Sequence, residues 1–221
     1  FHSNMTSIAF VVTCKGRLHH LKQSLPLLVA SRPTEIVVVD YGCPDGAGDW
    51  VEREFAGVKL VRVDDDPFFC LSRARNKGAA YVESDWICFI DADVLVSPGW
   101  SAWTHRFLQE GCFYKAGAEH RKRDRNIWGT VLCERSAFNQ IAGYDEIIRG
   151  WGGEDDDLYL RLRDSGLIES YIPPGYLTGV SHSDNERTEF HENKNRAAQR
   201  DINHSYIAIK RFLADIAGVV D

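Results

Sequence analysis

Four short apolar, largely β-branched runs, separated by segments with helical spacing, fill the first ninety residues. Ile8 to Thr13 (IAFVVT), Glu35 to Asp40 (EIVVVD), Val58 to Val63 and Trp86 to Ile90 read as buried strands. Between the first two, Leu18, Leu21, Leu25, Leu28 and Val29 mark a helix over Arg17 to Ser31, with a kink or break expected at Pro26. A loop rich in Gly and Pro (Gly42, Pro44, Asp45, Gly46, Gly48) leads to a short helix over Asp49 to Phe55. Leu71 to Val82 reads as a further helix. Such alternation predicts an α/β fold, a doubly wound and mainly parallel sheet flanked by helices. Ligands of these sheets sit at the carboxyl ends of the strands. Thr13, Asp40 and Asp91 stand at those ends.

With 221 residues there is room for one substantial domain and little for two. A hydrophobic share of 44% and a charged share of 26% exclude disorder over most of the chain. The net charge of -6 argues against a general nucleic-acid surface. The mainly basic stretch Glu119 to Arg125 is expected to be a solvated loop; the sharper alternative is a mobile segment that touches a diphosphate. No apolar run is long enough to span a bilayer, and no secretory leader is evident. Phe1 to Asn4, ahead of Met5, read as an expression scar. Six cysteines, at 14, 43, 70, 88, 112 and 133, show no zinc-type spacing and read as reduced, buried thiols of a cytoplasmic protein.

Beyond Asp93 the pattern is less regular. Pro98 to Gln109 reads as a helix, and Cys112 to Ala116 and Ile127 to Leu132 as strands. Glu154 to Asp164 reads as a helix with acids in its first turn and Gly166 at its end. From Glu186 a helical tail is expected to dock on the domain through Ile202, Tyr206, Ile209, Leu213 and Ile216.

Two motifs carry chemistry. In Asp91-Ala92-Asp93, an extended segment would send both carboxylates to one side, a hard oxygen site for Mn²⁺ or Mg²⁺. In Gly150-Trp151-Gly152-Gly153-Glu154-Asp155-Asp156-Asp157, glycines allow close backbone approach and Trp151 offers a flat face for a sugar ring. Four consecutive acids then open a helix, more than helix-dipole stabilisation explains.

These pieces resemble the GT-A fold glycosyltransferases. The strand IAFVVT with Cys14-Lys15-Gly16-Arg17, the strand end VVVD, Ser72 to Gly78 (SRARNKG) and FIDAD are similar to family-two nucleotide-diphospho-sugar transferases. Gly143-Tyr144-Asp145-Glu146 and GWGGEDDDL resemble the C-terminal region of β-1,4-galactosyltransferases. The resemblance implies one GT-A domain over residues 5–221: a nucleotide-binding half (7–93), an acceptor and catalytic half (94–183) and a helical tail (184–221). It implies that Thr13 and Arg17 meet the nucleotide, that Asp40 accepts from the uracil imide, and that Arg75 and Asn76 shape the nucleotide site. Asp93 would bind the metal, with Asp91 on ribose or metal and His182 completing the shell; His191 competes for that place. Asp155 would be the base, with Glu154 the alternative, and Glu154, Trp151, Gly152 and Gly153 would hold the acceptor.

The implied activity is a metal-dependent, inverting transfer of a hexose or N-acetylhexosamine (galactose, N-acetylgalactosamine or glucose) from a UDP-sugar to a saccharide or other hydroxyl acceptor. A retaining transferase on the same fold, a sugar nucleotidyltransferase and a non-catalytic carbohydrate-binding domain are the alternatives.

Overall fold

The computed structural model describes residues 6–117, 126–181 and 183–218. In chain order the elements are β1 (Ile8–Cys14), α1 (Leu18–Ala30), β2 (Glu35–Asp40), α2 (Ala47–Glu54), β3 (Lys59–Arg62), α3 (Leu71–Ala79), β4 (Trp86–Asp91), β5 (Val94–Val96), α4 (Trp100–Phe107) and β6 (Cys112–Ala116). They continue with β7 (Val131–Glu134), α5 (Arg135–Gln140), α6 (Glu154–Asp164), β8 (Ile168–Ile172), β9 (Leu177–Gly179), α7 (Asp184–Thr188) and α8 (Arg196–Ala217).

The main sheet runs β3-β2-β1-β4-β7-β6-β8. The first four strands are mutually parallel, β7 is antiparallel to both its neighbours, and β8 returns parallel to β6. A small antiparallel ribbon, β5 with β9, stands beside it. Every residue of β1 is buried, because helices cover both faces of the sheet. Phe10 and Val12 pack with Leu21, Leu25, Leu28 and Trp100 on one face. Ala9 and Val11 pack with Ala74, Phe138, Tyr144 and Leu158 on the other. Gly78 lets α3 lie close to the sheet: an added Cβ would come within 2.5 Å of Val11 and 2.8 Å of Val39. The parallel register pairs Cys14 with Asp40 and Thr13 with Asp91, so the expected nucleotide-side residues share one edge. Among the described residues no helix is long and apolar enough to cross a membrane.

Four expectations need correcting. Helix α1 runs unbroken through Pro26. Pro26 and Lys22 lie on the exposed side, where water can satisfy the Lys22 carbonyl that loses its helical donor. The expected strand from Ile127 begins only at Val131, because residues 126–129 form a turn. Ala92 and Asp93 also lie in a turn, between β4 and β5, so the alternation of an extended strand does not carry from Asp91 to Asp93.

The fourth concerns the tail. Ile202, Ile209, Leu213 and Ile216 are all exposed, at 57–67%, and the residues that α8 buries are Gln199, Asn203 and Ile207. Ion pairs from Lys210 to Asp157 and from Arg211 to Asp164 join the far half of α8 to α6, beside a groove of about 570 Å³ lined by Asp157, Arg161, Tyr206, Ile209 and Leu213 among others. The cysteines are all free, but Cys43 is only half-buried and its Sγ lies 3.7 Å from Cys14 Sγ. The segment 119–125, His182 and residues 1–4 lie outside the described residues.

Candidate active site

One guanidinium joins the two motifs. Arg75, on α3, has no solvent exposure. Its Nη1 donates to Asp155 Oδ1 and to the Tyr144 hydroxyl, each at 2.7 Å. Its Nη2 donates to Asp91 Oδ1 and to the Gly129 carbonyl, each at 2.9 Å. The Tyr144 hydroxyl lies 3.4 Å from Asp155 Oδ1. A buried arginine is tolerated when its donors are filled by charged partners, and only Nε is left without one. Gly129 explains the late start of β7: an added Cβ would lie 2.9 Å from Asp91 Oδ2 and 3.0 Å from Arg75 Nη2. The turn over residues 126–129 brings Gly129 against the ion cluster, where a side chain would not fit.

Helix α6 begins at this cluster. Gly153, its N-cap, has φ +98°, in the left-handed region that favours glycine, and aims the first turn at Arg75. Burial raises the Asp155 carboxyl above its ordinary range, and the Arg75 charge opposes that rise. Glu154 is raised further, by burial first and then by the Asp155 charge. Its Oε2 is buried without a hydrogen-bond partner. Burial pushes both neighbouring carboxyls up, so the two titrate as a pair, and the Arg75 contact favours the negative charge on Asp155. Among the described residues no hydrogen bond engages Asp155 Oδ2. Asp156 pairs with His204 at 3.0 Å, and Asp157 pairs with Arg161 at 2.6 Å.

Helix α8 clasps the glycine-rich loop. Gln199 Oε1 accepts from the Trp151 backbone N–H. Asn203 Nδ2 donates to the Arg149 and Gly152 carbonyls at 2.9 and 2.7 Å. The Arg196 guanidinium lies 4.2 Å from the centre of the Trp151 ring. Tyr144, Gly129, Gln199 and Asn203 were absent from the expected site. Tyr144 stands in the Gly143-Tyr144-Asp145-Glu146 motif, and the polar i, i+4 pair Gln199 and Asn203, inside an otherwise amphipathic helix, is a second sequence signal.

On the nucleotide side, Thr13 is buried in β1. Asp40 is 5% exposed and its own loop fills both oxygens, Cys43 N–H at 2.7 Å and Gly48 N–H at 2.9 Å. In the structure it therefore braces the β2–α2 loop. Asn76 clasps the following segment, exchanging two hydrogen bonds with the Tyr144 backbone and donating to Glu146. Arg17 donates to Asp93 at 3.3 Å and to the Glu186 carbonyl at 2.9 Å. The Val180 N–H bonds the Asp93 carbonyl at 2.7 Å, which lays the chain after β9 beside Asp93. His191 is buried against Phe69 and Gln199, and burial lowers its pKa. Among the described residues, the metal-type donors that converge within 4.8 Å are His19, His20 and Glu186. Glu186 Oε1 there already accepts from Ser183 as part of a capping box.

Residues 117–183, the stretch that contains GWGGEDDD, match the family model described as the N-terminal domain of galactosyltransferase. The Homo sapiens β-1,4-galactosyltransferase 7 is 28% identical over 141 residues, 58% of this chain and 42% of that one. The chain spans less than half the length of the curated relatives it matches. Among solved structures, a Pyrobaculum calidifontis mannosyltransferase in complex with GDP-Man and Mn²⁺ superposes with a TM-score of 0.70 at 15% identity, covering 94% of this chain and 65% of that one. A Drosophila β-1,4-galactosyltransferase 7 mutant in complex with manganese, UDP-Gal and xylobiose superposes with a TM-score of 0.58 at 18% identity, covering 87% and 78%. The fold is GT-A, and the acid-rich stretch is galactosyltransferase-like.

Proposed function

We propose that the protein is a metal-dependent, inverting glycosyltransferase that moves a hexose or N-acetylhexosamine from a UDP-sugar to a saccharide hydroxyl. The observation that carries this reading is the Asp91–Arg75–Asp155 bridge. It sets a strand-end carboxylate beside the first turn of an acidic helix, next to an aromatic and glycine-lined loop. Transfer from a nucleoside diphosphate needs charge neutralisation at the leaving group and a base at the incoming hydroxyl.

Asp91 and Asp93 suit a divalent cation by donor chemistry, since both are carboxylates, and Asp93 already faces the Arg17 guanidinium. Mn²⁺ or Mg²⁺ held there would offset the charge of the departing diphosphate. His182, two residues beyond Val180, is our candidate for its imidazole ligand. Arg75 and Tyr144 fix Oδ1 of Asp155, and Oδ2 would take the proton of the acceptor hydroxyl. A protonated Glu154 beside it would donate to the same acceptor. Trp151 and Gly152 would orient the sugar ring. An ionised Asp155 supports inversion, because a single displacement needs a base on the acceptor side. A carbohydrate-binding domain would have no use for the carboxylate bridge. The free cysteines support the cytoplasmic reading.

Calorimetric titration of UDP with and without Mn²⁺ tests the reading. Tighter binding with Mn²⁺, and loss of that gain in Asp93→Ala, is expected. Equal affinity in both conditions would overturn the metal assignment.

A further inference from the structure

Two thiols meet at the carboxyl edge of the sheet. The Sγ atoms of Cys14 and Cys43 lie 3.7 Å apart, although 29 positions separate the residues in the chain. Cys14 ends β1 and is buried, whereas Cys43 stands in the β2–α2 loop and is half-buried. A disulfide holds its sulfurs about 2.0 Å apart, so about 1.7 Å of approach closes the bond. The two groups are chemically unequal. The Cys14 thiol is placed to donate to Cys43 Sγ, which also accepts from the Gly16 N–H at 3.0 Å. The Cys14 donor, helped by the Gly16 and Arg17 N–H groups, lowers the Cys43 pKa against burial and the Asp45 carboxylate. Cys14 is pushed well up, by its bond to Cys43 and then by burial. The more nucleophilic sulfur is therefore also the more accessible one. The other four cysteines are buried.

The loops that carry these sulfurs are laced together. Lys15 Nζ donates to the Tyr41 carbonyl at 2.9 Å, and the Leu18 N–H donates to Asp45 at 2.9 Å. The Cys43 N–H holds Asp40 Oδ1 at 2.7 Å, so a shift of Cys43 is passed to Asp40.

We infer that Cys14 and Cys43 form a reversible oxidation site, and that closing their disulfide lowers the affinity for the nucleotide. The first half rests on the two sulfurs alone; the second rests on the transferase reading, which places UDP at Asp40. With hydrogen peroxide as oxidant, the Cys43 thiolate attacks one oxygen, the O–O bond breaks, and a Cys43 sulfenic acid and one water result. The Cys14 sulfur then attacks Cys43 Sγ, the S–S bond forms, and the sulfenic oxygen leaves as a second water. Two thiols have lost two electrons and two protons, all taken up by the peroxide. A dithiol reverses the step by exchange and is itself left as a disulfide.

The test treats the whole chain with hydrogen peroxide, blocks the remaining thiols and maps the cysteines by mass spectrometry. One bond, Cys14 to Cys43, should form with loss of two hydrogen atoms, and dithiothreitol should restore both thiols. Calorimetry with UDP and Mn²⁺ should give binding about tenfold weaker for the oxidised protein, regained on reduction. Cys43→Ser should keep its own UDP affinity through peroxide treatment. Cys14→Ser should stop at a Cys43 sulfenic acid that dimedone traps. Free Cys14 and Cys43 after peroxide, or a bond from either to another cysteine, would overturn the oxidation site. A Cys14–Cys43 bond that leaves UDP affinity unchanged would overturn the effect on the nucleotide, as would an equal loss in peroxide-treated Cys43→Ser. A protein that forms the bond but binds UDP in neither state overturns the transferase reading and the nucleotide half with it, while the oxidation site stands.

Discussion

Arg75 Nη1 donates to Asp155 Oδ1 at 2.7 Å, and this contact ties α3 to the first turn of α6. Through its other terminal nitrogen the same guanidinium holds Asp91 at the end of β4. The two acidic motifs, some sixty residues apart in the chain, are thereby one electrostatic unit.

Removing that cation leaves two carboxylates facing each other around an apolar gap. Asp155 and Asp91 keep partial access to water, 20% and 32% of their side chains, which moderates the cost. Arg75→Met should therefore destabilise the fold by about 3 kcal/mol, the lower end for breaking a buried pair. Urea denaturation measures it. A loss below about 1 kcal/mol would mean that the bridge does not hold the site together.

Glu154 gives a pH signature. Its native pKa lies above the unfolded value of 4.5, chiefly through burial. The native state therefore binds the extra proton, and this group's contribution to stability is full below pH 4.5 and lost as pH rises through its native range. Denaturation of wild type and Glu154→Gln across that window should show wild type losing ground steadily toward neutral and alkaline pH. A difference that is flat, or that grows with pH, would contradict the buried-carboxyl assignment.

The clasp between α8 and the loop rests on Gly150. Its φ is +78°, and an added Cβ would fall 2.1 Å from Gln199 Oε1. Gly150→Ala should cost about 1–2 kcal/mol from the backbone alone, plus the displacement of Gln199. Gly46, at φ +74° with open space around it, is the control for the backbone part. Thermal melting should fall further for Gly150→Ala than for Gly46→Ala; equal losses would show that Gln199 bears no load.

Much of this geometry is legible in the sequence where local signals agree. Helix α6 starts at Glu154 and ends at Asp164 as expected, because a left-handed glycine precedes it and Gly166 follows it. The strand ends that carry Thr13, Asp40 and Asp91 follow from the apolar runs. The role of Arg75 is not legible, since ARNKG on a helix says nothing of what lies across a sheet from it. The docking face of α8 departs from its apolar stripe for a related reason. Its apolar stripe is regular, yet Gln199 and Asn203 make the specific bonds to loop carbonyls and amides, and periodicity alone cannot rank polar contacts above apolar ones.

The base assignment makes a kinetic prediction. Asp155→Asn should still bind a UDP-sugar, while turnover falls by about 10²-fold or more, as for loss of a general base. Burial raises the Asp155 pKa, so the acid limb of kcat/KM should lie above the ordinary aspartate range, with activity lost as pH falls through it. A pH–rate profile with its acid limb in the ordinary range, or an active Asn variant, would move the base elsewhere.

Metal-dependent transfer with inversion is read most directly by product NMR. The protein is incubated with UDP-galactose, UDP-N-acetylgalactosamine or UDP-glucose, Mn²⁺ and a saccharide acceptor, and the new anomeric signal is read. These donors are α-linked, so inversion gives a β-linked product, expected to form with Mn²⁺ and not after chelation. An α-linked product, or transfer that continues undiminished without the metal, would contradict it.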